Sequence, residues 1–123
     1  MRTSLASDRL DLREFTDADA ADLHEIFSDP KTHTIGDGPV NDLAVTMDWI
    51  RRRQLRFAEH GVLWYAVHVR GHTQLAGSAG LFMGRTNPHP EFGFEIRHAL
   101  QGRGYGWEAA AAVLAEAHRA GFS

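Results

Sequence analysis

Three glycines fall within five residues in the run Gln101-Gly102-Arg103-Gly104-Tyr105-Gly106. The run lies between a strand-like segment and a helix-like one. Glycines lack Cβ atoms, so the backbone there can turn tightly and come close to a ligand. The first N–H groups of the following helix have no partner within it and face the same place. Such a loop suits a phosphate or a pyrophosphate. A dinucleotide fingerprint requires G-x-G-x-x-G, whereas the spacing here is G-x-G-x-G, with Trp107 in the sixth position from Gly102. A Walker loop requires Lys followed by Ser or Thr, and neither is present. A glycine-rich turn that only reverses the chain is the remaining local reading.

Other chemistry is narrowed by absence. The chain has no cysteine, so disulfides, thiolate metal sites and a cysteine nucleophile are excluded. Its eight histidines show no H-E-x-x-H or paired helical spacing, and no metal is expected. His98 stands apart because it directly follows the strand before the glycine loop. Three consecutive arginines, Arg51 to Arg53, read as a solvated helix face, with Asp48 placed to pair with Arg52. The net charge of -3 argues against a nucleic-acid partner.

The elements that must position this loop follow from periodicity. Arg9 to Phe15 alternates as a half-buried strand. Thr16 is placed to cap a helix over 17–28, with Asp17 and Asp19 in its first turn, and Asp29-Pro30 ends it. Residues 30–40, with two glycines and two prolines, form a loop. A helix over 41–60 presents Leu43, Met47, Ile50 and Phe57 on one face and stops at Gly61. Strands are expected at 63–69, 75–82 and 91–97. In the last, Phe92, Phe94 and Ile96 share one face, and Glu91, Gly93, Glu95 and Arg97 the other. A helix over 104–120 carries a stripe of Trp107, Ala110, Ala111, Leu114 and Ala117. The order β-α-α-β-β-β-α predicts a mixed α/β domain over 1–123. At 123 residues, 43% of them apolar, one core is affordable and full disorder is excluded. No run of about 18 apolar residues exists, so no transmembrane helix is expected. The first residues lack the apolar core of a signal peptide, which points to the cytoplasm.

The segment EFGFEIRHALQGRGYGWEA resembles the fourth strand, loop and third helix of the GNAT superfamily of N-acetyltransferases. The branch it is most similar to contains the ribosomal-protein N-terminal acetyltransferases. DRLDLREFTDADAADLHEIFSDP resembles that branch's first strand and helix, Met47-Asp48-Trp49-Ile50 its second helix, and LAGSAGLF its third strand. The resemblance spans nearly the whole chain in order. It implies a mostly antiparallel sheet flanked by helices, with acetyl-CoA as co-substrate and transfer to a primary amine, either a protein N-terminal α-amine or a small amine. It implies that amides from Gly102 through Arg103, Gly104, Tyr105 and Gly106 to Trp107, beside Gln101, bind the pyrophosphate. The backbone of Ile96, Arg97 and His98 would hold the pantetheine arm as an added strand. An amide of Ile96 or Arg97 would polarise the thioester carbonyl. Glu91 occupies the position of a general base, with Glu95 next in order. An α-amine, with a pKa of about 8, costs little to deprotonate near neutrality. His33, Thr34 and Asp37, in the loop that lines the acceptor cleft in that family, would meet the amine.

The family's pattern continues past this helix, whereas this chain reaches Gly121-Phe122-Ser123. The expectation is therefore a domain truncated before its fifth strand. Its fourth strand would be an unpaired edge able to pair with a second copy. A non-catalytic acyl-CoA-binding or self-associating fragment is the alternative. Trp107 stands where the family usually has a small residue.

Overall fold

The computed structural model describes residues 1–32, 39–83 and 89–122. Among these residues the chain builds one antiparallel sheet of five strands in sequential order: β1 (Ser4–Ala6), β2 (Leu10–Glu14), β3 (Trp64–Val69), β4 (Gly77–Met83) and β5 (Pro90–Ile96). The helices are α1 (Ala20–Ser28), α2 (Leu43–His60) and α3 (Tyr105–Arg119). Short 3-10 turns at Asp17–Asp19 and His98–Leu100 precede α1 and follow β5.

The expected truncation before a fifth strand is corrected by this sheet. The additional strand lies at the start of the chain. Ser4–Ala6 is three residues long and has no apolar alternation, so its pairing with Arg13, Leu12 and Asp11 of β2 supplies the order that its sequence does not announce.

Alternation along the strands divides the core between two layers. Leu10, Leu12, Tyr65, Val67, Ala79 and Leu81 pack with Ala109, Val113 and Ala117 of α3 on one face. Phe15, Leu23, Ile26, Phe27, Ile50, Trp64 and Ala66 gather under α1 and α2 on the other. Asp42 caps α2 by accepting the Ala44 N–H at 2.9 Å, and Gly61 ends it at φ 73°. Thr16 stands at the N-cap of the turn that leads into α1, as expected, in a capping box with Asp19. The Thr16 N–H donates to the Asp19 carboxylate at 2.8 Å, and Arg13 grips the same carboxylate with both terminal nitrogens.

Two helix faces differ from the expected ones. In α3 the buried residues are Ala109, Ala110, Val113, Glu116 and Ala117, while Trp107 is 78% and Leu114 51% exposed. Glu116 accounts for the shift. Its carboxylate is held by Arg119 and by the Arg2 N–H, so a polar residue takes a core-facing position. In α2, Leu43 is exposed, and Thr46 is buried beside the Nδ1 of His24 at 2.8 Å.

Candidate active site

The glycine loop is shaped by its own backbone and braced from below. Gly102 and Gly104 have φ of 78° and 83°, in the left-handed region that favours glycine. Gly106 lets the aromatic strand approach: a Cβ there would lie 2.4 Å from the Phe94 ring. Arg9 fixes the loop from the N-terminal side. It donates to the Arg103 carbonyl at 3.0 Å, pairs with Glu108 at 2.6 Å and lies 4.5 Å from the Tyr105 ring centroid. This brace, which joins residues nearly a hundred apart in sequence, has no local sequence signal.

The Glu108 N–H is the first to donate within the helix, to the Gly104 carbonyl at 3.1 Å. The amides of Gly102 through Trp107 donate to no group among the described residues. They lie at a cavity of about 340 Å³ lined by Phe94, Glu95, Ile96, Leu100, Gln101 and the loop itself. Unpaired donors at the positive end of a helix, beside glycines that add no bulk, fit the diphosphate of a coenzyme A thioester. The Arg103 side chain is exposed.

The β5 edge bounds this cavity. In an antiparallel ladder, N–H and C=O groups point alternately toward the neighbouring strand and away from it. The Arg97 N–H donates to the Ala76 carbonyl at 2.7 Å, which sets Arg97, Glu95 and Gly93 toward β4 and leaves the amides of Phe92, Phe94 and Ile96 on the open side. Two expectations are corrected by this register. The Arg97 amide is held in the sheet and its guanidinium is drawn to the Leu75 carbonyl and to Glu25 of α1, leaving Ile96 as the candidate polarising amide. His98 lies in the 3-10 turn, closed by the Leu100 N–H on the Arg97 carbonyl, so an added strand would run along 92–96 rather than 96–98. Gln101 turns inward, its Nε2 donating to the Ile96 carbonyl at 2.9 Å.

A second, smaller cavity of about 60 Å³ lies on the α1–α2 side of the sheet. Phe27, Val40, Val45, Trp49, Trp64, Ser78 and Glu95 line it. Its aromatic walls hold each other edge to face, with Trp49 at 5.2 Å from Phe27 and 6.0 Å from Trp64. Arg53 stacks behind them at 4.8 Å from the Trp49 ring. Burial, with repulsion from Arg52 and Arg56, lowers its guanidinium pKa to about 10.

Glu95 is the residue common to the linings of the two cavities, and it is 6% exposed. Glu91, expected as the base, is exposed and lines a separate open groove with Phe82, Phe92, Gly93 and Phe94. Both carboxylates are on the same strand face, as alternation requires. Only Glu95 is reached by the α1–α2 layer. His33, Thr34 and Asp37 lie outside the described residues. No group of three metal-binding side chains occurs among the described residues, and no described helix is long and apolar enough to cross a membrane.

A sheet of this order, a glycine loop opening a helix and a free strand edge beside it are features of an acyl-CoA-dependent transferase fold. Residues 9–122 match the acetyltransferase (GNAT) domain, and the chain belongs to that family. It is an acyltransferase domain whose co-substrate is acetyl-CoA. An acetyltransferase from Agrobacterium tumefaciens superposes with a TM-score of 0.84 at 25% identity, covering 98% of this chain and 69% of that one. RimL, a ribosomal alpha-N-protein acetyltransferase solved with coenzyme A, gives 0.79 at 18% identity, covering 96% and 69%. The microcin self-immunity acetyltransferase MccE, solved with acetyl-CoA and AMP, gives 0.74 at 17%, covering 94% and 67%.

Proposed function

We propose that this domain transfers the acetyl group of acetyl-CoA to a primary amine, with the α-amine of a protein N-terminus as the acceptor. The observation that carries this reading is the position of Glu95 between the loop cavity and the aromatic cavity. A donor held by the loop and an acceptor entering from the α1–α2 side meet at that carboxylate. The fold shared with RimL supports the α-amine over a small amine.

Bound acetyl-CoA supplies an acetyl thioester, whose carbonyl carbon bonds to the amine nitrogen as the carbon–sulfur bond breaks and the sulfur leaves as thiolate. The amides of Gly102 to Trp107 bind the diphosphate, and Arg103 adds positive charge at the rim. The Ile96 N–H, on the open edge, donates to the carbonyl oxygen as negative charge builds there. Gln101, through the Ile96 carbonyl, holds that edge in place. Glu95 takes the proton that the ammonium must lose, directly or through one water. The whole chain acts as one domain. The open β5 edge is also where a second copy would add a strand, in competition with the pantetheine arm. Family membership weighs against a fragment that only binds or self-associates.

The test is a pair of substitutions on one strand face. Glu95→Gln is expected to lower kcat by about 10²-fold or more, the scale of a lost proton acceptor, with acetyl-CoA affinity kept. Glu91→Gln is expected to stay within about 3-fold of the wild type, as for a surface change. The reverse ranking, measured by thiol release across pH 6 to 9, overturns the assignment.

A further inference from the structure

The Glu95 carboxylate has a polar neighbour that the reaction above does not use. Ser78 of β4 stands directly opposite Glu95 of β5 in the sheet register. Side chains of such a pair share one face of the sheet, with Cβ atoms about 5 Å apart. Alternation fixes the face. Ala79 and Leu81 pack with α3, so Ser78 points with Phe82 to the α1–α2 layer. Ser78 and Glu95 both line the aromatic cavity, and they are 1% and 6% exposed. A serine side chain ends one atom beyond Cβ, so what Ser78 presents there is its hydroxyl. The hydroxyl has no hydrogen-bond partner among the described residues, and its oxygen is not among the fully enclosed atoms that lack one, so its residual accessibility opens on the cavity. A hydroxyl oxygen has two lone pairs to offer a donor. The rest of the wall, Phe27, Val40, Val45, Trp49 and Trp64, is apolar or aromatic.

Resting on the acetyl-transfer reading above, we infer that Ser78 is a further substrate-contacting residue: its oxygen and the Glu95 carboxylate hold the acceptor nitrogen between them. A protonated amine donates one N–H to each. It gives one proton to the Glu95 carboxylate and becomes the neutral amine. One of its two remaining N–H bonds stays on the Ser78 oxygen, which limits turning about the carbon–nitrogen bond and sets where the lone pair points. About 60 Å³ is room for roughly two water-sized groups at about 30 Å³ each, the nitrogen and the carbon that bears it. The remainder of the acceptor stays outside, so Ser78 reads the nitrogen rather than the chain behind it.

The experiment reads the seat by binding and by turnover. Binding uses methylammonium, which has two heavy atoms, and the carboxyl-carbon resonance of Glu95, assigned by its loss in Glu95→Gln. That resonance is expected to shift on titration of the wild type with methylammonium and to stay in place with tetramethylammonium, which has the same charge and no N–H. Ser78→Ala is expected to weaken methylammonium binding by about 10-fold, the scale of one hydrogen bond to a charged group. Turnover uses acetyl-CoA and a tripeptide beginning with Ala. There Ser78→Ala is expected to lower kcat/KM by about 10-fold, with acetyl-CoA Kd and melting temperature unchanged. In a Glu95→Gln background the same substitution is expected to cost less than about 3-fold, because the seat needs both groups. A serine that only packs the strand would cost the same in both backgrounds, and that result overturns the inference. So does a shift of equal size with tetramethylammonium, or methylammonium binding that Ser78→Ala leaves within about 2-fold of wild type. Methylammonium binding weakened by Ser78→Ala, without acetylation of any amine, keeps the seat and overturns the transfer reading. Acetylation that Ser78→Ala leaves unchanged keeps the transfer reading and overturns the inference.

Discussion

At Gly104 backbone conformation and ligand access coincide. Its φ of 83° is a region where a Cβ costs about 1–2 kcal/mol. A Cβ there would also come within 3.3 Å of Arg9 Nη2, in the guanidinium whose Nη1 holds the Arg103 carbonyl. Gly104→Ala is therefore expected to weaken acetyl-CoA binding by about 10-fold, the equivalent of about 1.4 kcal/mol, while the fold survives. Calorimetric titration checks the first expectation and thermal melting the second. The glycine spacing was readable before any coordinates, because three missing Cβ atoms in five residues are a local property. The brace was not. Arg9 and Glu108 are almost a hundred residues apart, and each alone reads as a surface charge. The burial of Glu95 and the exposure of Glu91 were also beyond the sequence, since strand alternation places both on one face and only the α1–α2 layer tells them apart.

At the scale of elements, α3 carries both the loop and an acid-sensitive anchor. The Glu116 carboxyl is held down at about 2. Arg119 is the main cause, working against burial, with help from the Arg2 N–H. A carboxyl depressed in the folded state contributes stability that is complete above its ordinary value of 4.5 and is lost as pH falls toward 2. Wild type is expected to lose stability steeply over that window, and Glu116→Gln to start less stable at pH 7 and fall less. Denaturant midpoints at pH 7 and pH 3 measure both, and parallel losses in the two proteins would contradict the assignment. The same residue explains why the α3 stripe was misjudged. Apolar periodicity selects Trp107 and Leu114, but the Glu116–Arg119 ion pair goes with an inward face turned by about one residue, roughly a quarter of a turn. The existence and order of the helices and of the four longer strands were legible from spacing. The three-residue β1 was not, as its pairing to β2 carries its order.

Across the whole molecule, one sheet separates two layers, each with a cavity against β5, and the proposed reaction draws on both. The α3 side supplies unpaired amides and an open strand edge, and the α1–α2 side an aromatic slot. Glu95 reaches both because it sits near the end of β5, where the edge strand and both layers converge. The loop cavity is the part on which the rest depends, since the proposed acetyl transfer places the diphosphate of acetyl-CoA at the amides of Gly102 to Trp107. Binding of acetyl-CoA and of acetyl-pantetheine, which lacks the diphosphate, to wild type and to Gly104→Glu tests it most directly. Wild type is expected to bind acetyl-CoA at least 100-fold more tightly than acetyl-pantetheine, and Gly104→Glu to erase that difference by setting a carboxylate beside the phosphates. Equal affinities in the wild type, or an undiminished preference in Gly104→Glu, would contradict the cradle and the function built on it.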